Sequence, residues 1–421
     1  MKRADMQIDI LPPIRHNGFV VLQANVQGHP RRRKRNGTLY FEIPERWQES
    51  LVVRGRTDDL HDAFVRAILF SAMEAERNLI VRGCVSASLL RNLEAYQRMV
   101  ADWWPAYHAV EIHAEHVVED DDPIDAGGNS KMLLAFSGGL DSAYSLDRHN
   151  GPGTAKDGKD IAACLFVHGF DIPPDDASYA AAYRAADRIA AERGAELIPV
   201  RSNLKQRLPY WPQAHGAALA AALSLFGRQW STGLIAPSVS RDNPFLAAAG
   251  YGSTSTSDPL LSSASFRIVH DPTGKTRVEK SEMLRSWPTC LRSLRVCWEG
   301  KDLSGNCGGC SKCLWQMLCL RAVGINDLSG FRGRLSPRRV ARLNIADPAH
   351  LFEYEACYEY ARRHGRAGQP EFVALGCAIA SSRQTLRDEA ISGLQRQAAP
   401  REKGWFRVLP FLRRGTNAAT S

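Results

Sequence analysis

Six consecutive residues in the middle of the chain have the composition of a phosphate cradle. They are Ser137, Gly138, Gly139, Leu140, Asp141 and Ser142. The two glycines let the backbone approach a ligand closely. Because an apolar run precedes the segment and a helical pattern follows it, successive N–H groups and the helix N-terminus can face an anion. The two serine hydroxyls would add donors. We call residues 137–142 the phosphate loop.

Asp141 points to a nucleotide that carries a metal ion. A carboxylate is unfavourable beside a phosphate unless a cation such as Mg²⁺ lies between them. The phosphate loop lacks the Gly-Lys-Ser/Thr ending of the Walker A motif, so it does not predict an ordinary P-loop NTPase. The residues therefore predict a Mg-nucleotide site of another class.

Four cysteines have the spacing of a metal site. The pattern C-x₉-C-x₂-C-x₂-C consists of Cys297, Cys307, Cys310 and Cys313. Two-residue gaps let a knuckle present successive thiolates to one ion, and four thiolates suit tetrahedral Zn²⁺ with no open position. The pattern predicts a structural zinc site; an iron–sulfur cluster, which uses similar ligands, is the alternative. Cys290 and Cys319 fall outside the spacing and are predicted to lie in the core.

The elements around the phosphate loop follow the rhythm of an α/β fold. Short apolar runs alternate with helical patterns after Lys131, which predicts a doubly wound parallel sheet with ligands beyond the carboxyl ends of its strands. The predicted strands cover residues 132–136, 162–167, 196–200 and 232–235. The predicted helices run from the phosphate loop toward His149, over 177–193 and over 216–228. The phosphate loop thus falls where such sheets bind ligands.

The chain divides into three predicted regions. Residues 1–125 are predicted to form an accessory α/β domain, with strands at 19–26, 38–43, 79–81 and 109–114 and helices at 60–74 and 86–104. An acidic run at 119–122 and a Gly/Asn/Ser stretch at 127–130 predict a linker. The nucleotide domain then covers 131–327 and contains the zinc-binding element 297–313. Residues 328–421 are predicted to be helical, with a basic tail.

Composition favours a soluble globular protein. Of 421 residues, 44% are hydrophobic and 24% are charged, which is typical of that class. The longest apolar stretches, such as 217–226, are too short to span a bilayer, so no transmembrane segment is predicted. The first residues lack the apolar segment of a signal peptide, and clustered cysteines without an export signal suit a reducing compartment. The predicted location is the cytoplasm.

The formal net charge of +9 is unevenly distributed. Basic runs at 31–35, 332–342 and 396–414 could attract nucleic acid or acidic partners, although a solvated surface is the simpler interpretation of each. Aromatic residues alternate with arginines in the tail, which could dock on a partner or a membrane surface. A disordered tail is the alternative. Nucleic acid is therefore a partner that the sequence permits but does not favour.

The phosphate loop resembles the SGGxDS loop of the N-type ATP pyrophosphatases. Together with the cysteine pattern, it is similar to the 7-cyano-7-deazaguanine synthase family of queuosine biosynthesis. The second block that carries this resemblance is Cys307-Gly308-Gly309-Cys310-Ser311-Lys312-Cys313. The resemblance covers roughly residues 131–324, less than half of the chain.

The resemblance implies an adenine nucleotide α-hydrolase-like fold with ATP, Mg²⁺ and Zn²⁺ as cofactors. The phosphate loop would grip the β,γ-pyrophosphate and expose the α-phosphate. Asp141, Lys280 and Arg277 would be the catalytic residues. His168 and Asp171 would line the adenine and ribose pocket, although Asp171 could equally cap the next helix.

The activity implied is that of an ATP-dependent ligase. The family adenylates 7-carboxy-7-deazaguanine, lets ammonia displace AMP to give the amide, and uses a second ATP to dehydrate the amide to the nitrile. Two alternatives remain open at this point. One is an adenylating enzyme that modifies RNA, and the other is a non-catalytic nucleotide-binding subunit of a complex.

The chain departs from the family on the substrate side. The family's Pro-Gly-Arg-Asn helix start is replaced by residues 214–217, which include His215, and its substrate segment by the Gly/Ser/Thr-rich residues 250–260. The chain thus looks like a divergent, enlarged relative of the sort found beside partner proteins in bacterial modification or anti-phage defence systems. In such a relative a protein amine could replace ammonia, and the product could be a nitrile, an amide or a conjugate. A protein partner and a homodimer are both compatible with the sequence.

Overall fold

The structure is a computed structural model of the whole chain. It describes residues 4–30, 35–53, 55, 61–120, 131–154, 160–240, 243–245, 250–272, 274–297 and 299–398, with side chains as far as 388. Residues 121–130 of the predicted linker, most of the basic run at 31–35 and the part of the basic tail beyond 398 lie outside the described residues.

Ten strands form one sheet. In chain order they are β1 (Met6–His16), β2 (Phe19–Gln27), β3 (Gly37–Pro44), β4 (Leu79–Ser86), β5 (Ile112–Val118), β6 (Met132–Ala135), β7 (Ile161–His168), β8 (Glu196–Ser202), β9 (Thr232–Ile235) and β10 (Arg267–His270). Their order across the sheet is β10-β9-β6-β7-β8-β3-β2-β1-β4-β5. The last five strands of the chain are therefore neighbours on one side of the sheet.

Most neighbouring strands are parallel. The five strands β10, β9, β6, β7 and β8 run parallel to one another. The strands β3, β2 and β1 are joined by antiparallel pairings, and β4 and β5 extend the far edge in parallel. A short antiparallel pairing of Phe41 with Ser202 and of Glu42 with Arg201 joins β3 to β8. The sheet is thus continuous from the N-terminal strands to the strands that follow the phosphate loop.

Twelve α-helices accompany the sheet among the described residues. They are α1 (Asp62–Ala75), α2 (Ala87–Trp103), α3 (Leu140–Asn150), α4 (Tyr179–Glu192), α5 (Leu204–Arg207), α6 (Trp211–Ser224), α7 (Arg277–Met283), α8 (Pro288–Ser293), α9 (Ser311–Ala322), α10 (Pro337–Val340), α11 (Pro348–Arg363) and α12 (Pro370–Ala398).

Alternating strand residues feed two apolar cores on opposite faces of the sheet. Leu133 and Leu165 point into one core with α1, α2 and α6. Leu134 and Phe166 point into the other with α3, α4, α8 and α9. Because successive side chains of a strand point to opposite faces, this alternation places helices on both sides of β6 and β7. A third core joins α7, α9, α11 and α12.

The strand order reverses at β6. From β6 the chain proceeds through α3 to β7 and through α4 to β8 on one side, and then crosses through α6 to β9 on the other side. Crevices at such reversals are where open α/β sheets bind ligands. The phosphate loop leaves β6 at this point. The predicted α/β class with a mostly parallel sheet is confirmed.

Candidate functional site

The phosphate loop connects the end of β6 to the start of α3, as predicted. Gly138 has φ = 70°, a conformation that favours glycine. A Cβ on Gly138 would lie 3.4 Å from the Cβ of Ala186 on α4, so the loop packs closely against that helix. The Ser137 N–H points to the Oγ of Ser142 at 3.4 Å, and that hydroxyl donates to Gly139 O at 3.2 Å. The two serines thus close the loop on itself.

The N-terminus of α3 has no side-chain cap. Gly139 occupies the cap position, and no side chain accepts from the first turn. The first N–H groups of a helix have no acceptor within the helix, and they carry its partial positive charge. Backbone donors therefore face the crevice beyond β6, where an anion could accept from them.

Asp141 lies between two cations. Lys280 Nζ donates to Asp141 Oδ1 at 2.8 Å and to Pro237 O at 2.6 Å. The guanidinium of Arg277 donates from Nη1 to Asp141 Oδ2 at 3.2 Å. Lys280 is fully buried, whereas about a fifth of the Asp141 side chain is exposed. The structure therefore brings the three predicted catalytic residues together at the end of the sheet, because Pro237 follows β9 and Asp141 follows β6.

Lys280 and Arg277 keep the carboxyl group of Asp141 ionised. Burial by itself would raise the pKa of this carboxyl, but the attraction of Lys280, then that of Arg277, outweighs burial and lowers the pKa below its usual value. Lys312, beside the cysteine cluster, lowers it further. The carboxylate is thus ionised at neutral pH.

Arg277 is fixed in place by residues of the C-terminal helices. It is the first residue of α7, and its backbone N–H donates to Glu353 Oε2 at 2.8 Å. The other oxygen of Glu353 accepts from the N–H of Ser240 at 3.0 Å. The guanidinium of Arg277 lies over the ring of Trp315, 4.6 Å from its centroid, a favourable cation–π geometry. Burial raises the pKa of the Glu353 carboxyl despite its two donors.

We expect Glu353→Gln to lower the free energy of unfolding by about 1–3 kcal/mol. The glutamine amide offers only one oxygen, so one of the two backbone N–H groups would face an NH₂ group without an acceptor. Urea denaturation measures the effect. Glu355→Gln on the same helix is the matched control, because Glu355 pairs with the exposed Arg383 and should cost less than about 1 kcal/mol. Equal losses for the two variants would contradict the bridging role of Glu353.

His168 and Asp171 lie at and just beyond the end of β7. The ring of His168 stacks on Tyr179 with centroids 4.0 Å apart, and only 9% of the residue is exposed. Burial lowers the pKa of His168. Asp171 is more exposed and lies 3.7 Å from Nη1 of Arg295. The structure thus places Asp171, rather than the ring of His168, on the open side of the strand end; the nucleotide roles of both residues stay predictions.

Arg295 connects the phosphate loop to the end of β7. Its backbone N–H donates to Gly138 O at 2.8 Å, while its side chain reaches Leu303 O through Nε at 3.2 Å and approaches Asp171. The side chain is almost completely buried, with 5% exposed. Arg295 was not among the site residues predicted from the sequence. Its only signal is a basic residue two positions before the first cysteine of the pattern.

The Gly/Ser/Thr-rich segment packs on the start of α6. Gly216 N–H donates to Gly252 O at 3.1 Å, and a Cβ on Gly216 would lie 2.2 Å from that oxygen, so this approach requires glycine. The fully buried Asp258 accepts from Ser253 Oγ at 2.6 Å and lies 2.8 Å from His270 Nδ1. Polar groups of this segment therefore form hydrogen bonds within the protein.

His215 of α6 and Tyr251 of this segment lie against each other. His215 Nδ1 lies 3.0 Å from Pro212 O; because a carbonyl only accepts, Nδ1 carries the proton. Burial lowers the pKa of His215, so its ring is neutral at pH 7. Tyr251 meets this ring edge to face, with centroids 5.6 Å apart. Burial raises the pKa of Tyr251, whose hydroxyl bonds Ser238 and senses the charge of Asp141.

The four predicted cysteines form one cluster. Their Sγ atoms all lie within 4.8 Å of one another. The separations include 3.8 Å between Cys297 and Cys310 and 3.9 Å between Cys307 and Cys313. Tetrahedral bonds of about 2.3 Å to zinc would place neighbouring sulfurs about 3.8 Å apart. The cluster could therefore bind zinc, and it is the only such group of metal-binding side chains within the described residues.

The backbone around the cysteines is built for this arrangement. The N–H groups of Gly309 and Cys310 both point to the Sγ of Cys307 at 3.4 Å. Asn306, which is buried, accepts from the N–H of Cys297 at 3.1 Å and donates to Leu294 O at 2.7 Å. These bonds hold the first ligand next to the knuckle. Donors to the sulfurs are typical of the outer shell that orients metal ligands.

Cys290 and Cys319 are fully buried in the apolar cores, as predicted. No helix of the described part of the chain is long and apolar enough to cross a membrane.

Comparisons with protein-family models, with curated proteins and with solved structures find no match to this chain.

Proposed function

We propose that the chain is an ATP-dependent adenylating enzyme of the N-type ATP pyrophosphatase class. The observation that carries the proposal is the position of Asp141, held by Lys280 and Arg277 beside an uncapped helix N-terminus where the strand order reverses. Fixed donors and cations around one carboxylate favour a metal-bound polyphosphate.

The phosphate loop would hold the β,γ-pyrophosphate of ATP. Backbone N–H groups of α3 and the loop would donate to its oxygens. Mg²⁺, when bound beside Asp141, would neutralise part of the phosphate charge. Lys280 and Arg277 are already oriented by Pro237 and Glu353, so they would stabilise the charge that develops on pyrophosphate with little rearrangement.

The reaction is a displacement at the α-phosphorus. A carboxylate oxygen of the substrate forms a bond to this atom, the α–β phosphoanhydride bond breaks, and pyrophosphate leaves with the electron pair. An amine then attacks the acyl adenylate, and AMP leaves with the original carboxylate oxygen. The site contributes by orienting the reactants and by stabilising charge, which needs no nucleophilic side chain.

A 7-carboxy-7-deazaguanine is the substrate that we propose, on the resemblance described above. The phenol of Tyr251, whose pKa is raised in part by the charge of Asp141, and the neutral ring of His215 that lies against it would supply polar groups to a substrate. They are suited to a planar heterocycle with hydrogen-bonding edges. The acceptor would be ammonia or a protein amine, and the product a nitrile, an amide or a conjugate.

The zinc site would act structurally beside the phosphate loop. Arg295 donates its backbone N–H to Gly138 O and lies two residues before Cys297, the first cysteine of the cluster. A zinc ion that holds Cys297 in place would therefore also hold Arg295 against the phosphate loop. With four protein ligands the ion would have no open position for substrate.

The test is release of AMP and pyrophosphate from Mg-ATP in the presence of ammonium, with and without 7-carboxy-7-deazaguanine. We expect release that depends on the deazaguanine. ATP binding without release would contradict the enzymatic proposal for this substrate, and release without the deazaguanine would contradict the substrate assignment.

A further inference from the structure

A cleft rich in arginine lies beside the phosphate loop. It encloses about 340 Å³ between α4, the end of α8 and the backbone of residues 304–306. Arg184 and Arg188 of α4, Arg292 of α8 and Arg295 line it, and none of the described residues that line it is acidic. We call it the arginine cleft.

The positive charge of the arginine cleft is compensated only in part, because Asp171 lies 3.7 Å from Arg295 but the other three arginines are exposed or weakly paired. Within the described part of the chain, Arg184 and Arg188 are exposed and form no ion pair. Arg292 lies 3.8 Å from Asp327, but both side chains are half exposed, which makes their attraction weak. Arg184 and Arg188 are four residues apart on one helix face, a spacing at which like charges repel. A bound anion would relieve this repulsion.

Arg295 supplies a second, independent observation. Its Nη2 is buried and has no hydrogen-bond partner among the described residues, although 95% of the side chain is removed from solvent and Nε is already bonded to Leu303 O. An unpaired buried donor is costly. Arg295 is one of the residues that line the arginine cleft, so an anion bound there would be attracted by its charge.

The remaining walls indicate the size and character of the ligand. Ala181, Ala182 and Ala185 of α4 and Leu294 form an apolar side, opposite the polar backbone at 304–306. The volume lies at the lower end of the range for small-molecule sites, ~300–1,000 Å³. Arginine suits phosphate because its planar fork donates two bonds and its face stacks on planar rings.

We propose that the arginine cleft binds a phosphate-bearing small molecule of mononucleotide size, at a site separate from the phosphate loop. Arg295 lines the cleft and donates its backbone N–H to Gly138 O, so the cleft adjoins the phosphate loop, but none of residues 137–142 lines it. Residues 181, 184, 185 and 188 of α4 line the cleft, whereas Ala186 of the same helix lies next to the phosphate loop. The proposal does not depend on ATP turnover.

The test is isothermal titration of the zinc-loaded full chain with AMP and, separately, with GMP, without Mg²⁺ and at constant ionic strength. Arg184→Gln with Arg188→Gln removes two charges from the cleft. We expect this double variant to bind the better mononucleotide at least about tenfold more weakly, because charge-assisted bonds are lost. Arg98→Gln with Arg228→Gln removes the same charge from exposed positions outside the cleft and should leave the affinity unchanged.

Several results would overturn the proposal. They are no binding of either mononucleotide to the wild-type chain, unchanged affinity in the cleft variant, and equal weakening in both double variants. Inorganic phosphate that binds as tightly as the mononucleotide would also contradict it, because the apolar side of the cleft would then contribute nothing. Loss of binding in the cleft variant with intact ATP turnover would support this site while leaving the proposed activity untouched.

Discussion

Asp141→Asn is expected to reduce AMP release by about a hundred- to a thousandfold, the range seen when one fixed charge-stabilising group is removed. Asparagine retains the shape of the side chain but loses the charge that would hold Mg²⁺ beside the phosphates. It also leaves the fully buried Lys280 without its carboxylate. Removing one partner of a buried pair costs about 3–5 kcal/mol, so we expect lower stability as well. Rate assays and urea denaturation measure the two effects.

The stability effect of Asp141→Asn should depend on pH. The pKa of Asp141 is lowered in the folded chain, so its contribution is fully present above the pKa of the unfolded state and is lost as the pH falls through the folded value. The wild type and the variant should therefore converge in stability on acidification below about pH 4. A difference that stays constant through this range would contradict the assignment.

Asp147→Asn is the matched control on the same helix. Asp147 pairs with Arg193 at 2.8 Å and is about as exposed as Asp141, but it lies outside the phosphate loop. We expect this variant to lose some stability and to keep its activity at a temperature where it is folded. Equal loss of activity in both variants would show that helix stability, rather than the carboxylate at the phosphate loop, is what matters.

Cys313→Ser is expected to abolish zinc retention and to lower stability by several kcal/mol. Binding of structural zinc contributes about 10–16 kcal/mol of apparent free energy in small zinc-binding peptides, and part of it would be lost here. Cys313 is fully buried in the first turn of α9. Metal analysis should find one zinc per wild-type chain and none in the variant, with a lower thermal midpoint.

Cys319→Ser is the matched control for Cys313→Ser, because it changes a buried cysteine that is not a predicted zinc ligand. Cys319 is equally buried and lies on the same helix, but it is outside the cluster. This control should lose stability from the buried hydroxyl and still contain one zinc. Iron in place of zinc in the wild-type chain would contradict the zinc assignment, and zinc retained by Cys313→Ser would contradict the ligand set.

Elements with a strong local pattern could be predicted from the sequence. β6 and β7 are short apolar runs, and α2 and α4 have an apolar stripe at helical spacing, so their positions are confirmed to within a few residues. Burial on both faces makes such strands continuously apolar, which is a pattern that needs no tertiary information.

Two strands were missed for local reasons. β1 contains Pro12 and Pro13, which argue against a strand; the structure accommodates them where the register with β2 shifts between Leu11 and Ile14. β10 is as short as β6, but only two of its four residues, Ile268 and Val269, are apolar, so it lacks the continuous apolar run that made β6 predictable. The pairing of β3 with β8 was also unpredictable, because it joins segments about 160 positions apart through two residue pairs.

The candidate site shows the same division. The phosphate loop and the cysteine pattern are local, and their residues lie together as predicted. The contact of Lys280 with Asp141 spans 139 positions and was not predicted; the family resemblance implied only that both residues belong to one site. The carboxylate of Glu353 accepts from two backbone N–H groups, and Arg295 donates its own backbone N–H to the phosphate loop. Nothing in the sequence around either residue distinguishes it from other charged residues.

The most direct test of the central claim is the fate of an oxygen atom. The substrate is 7-carboxy-7-deazaguanine with ¹⁸O in its carboxylate, incubated with Mg-ATP and ammonium, and the nucleotide product is analysed by mass spectrometry. Attack of the carboxylate on the α-phosphorus predicts pyrophosphate and AMP with one ¹⁸O atom. ADP and phosphate, unlabelled AMP, or uncleaved ATP would contradict the account.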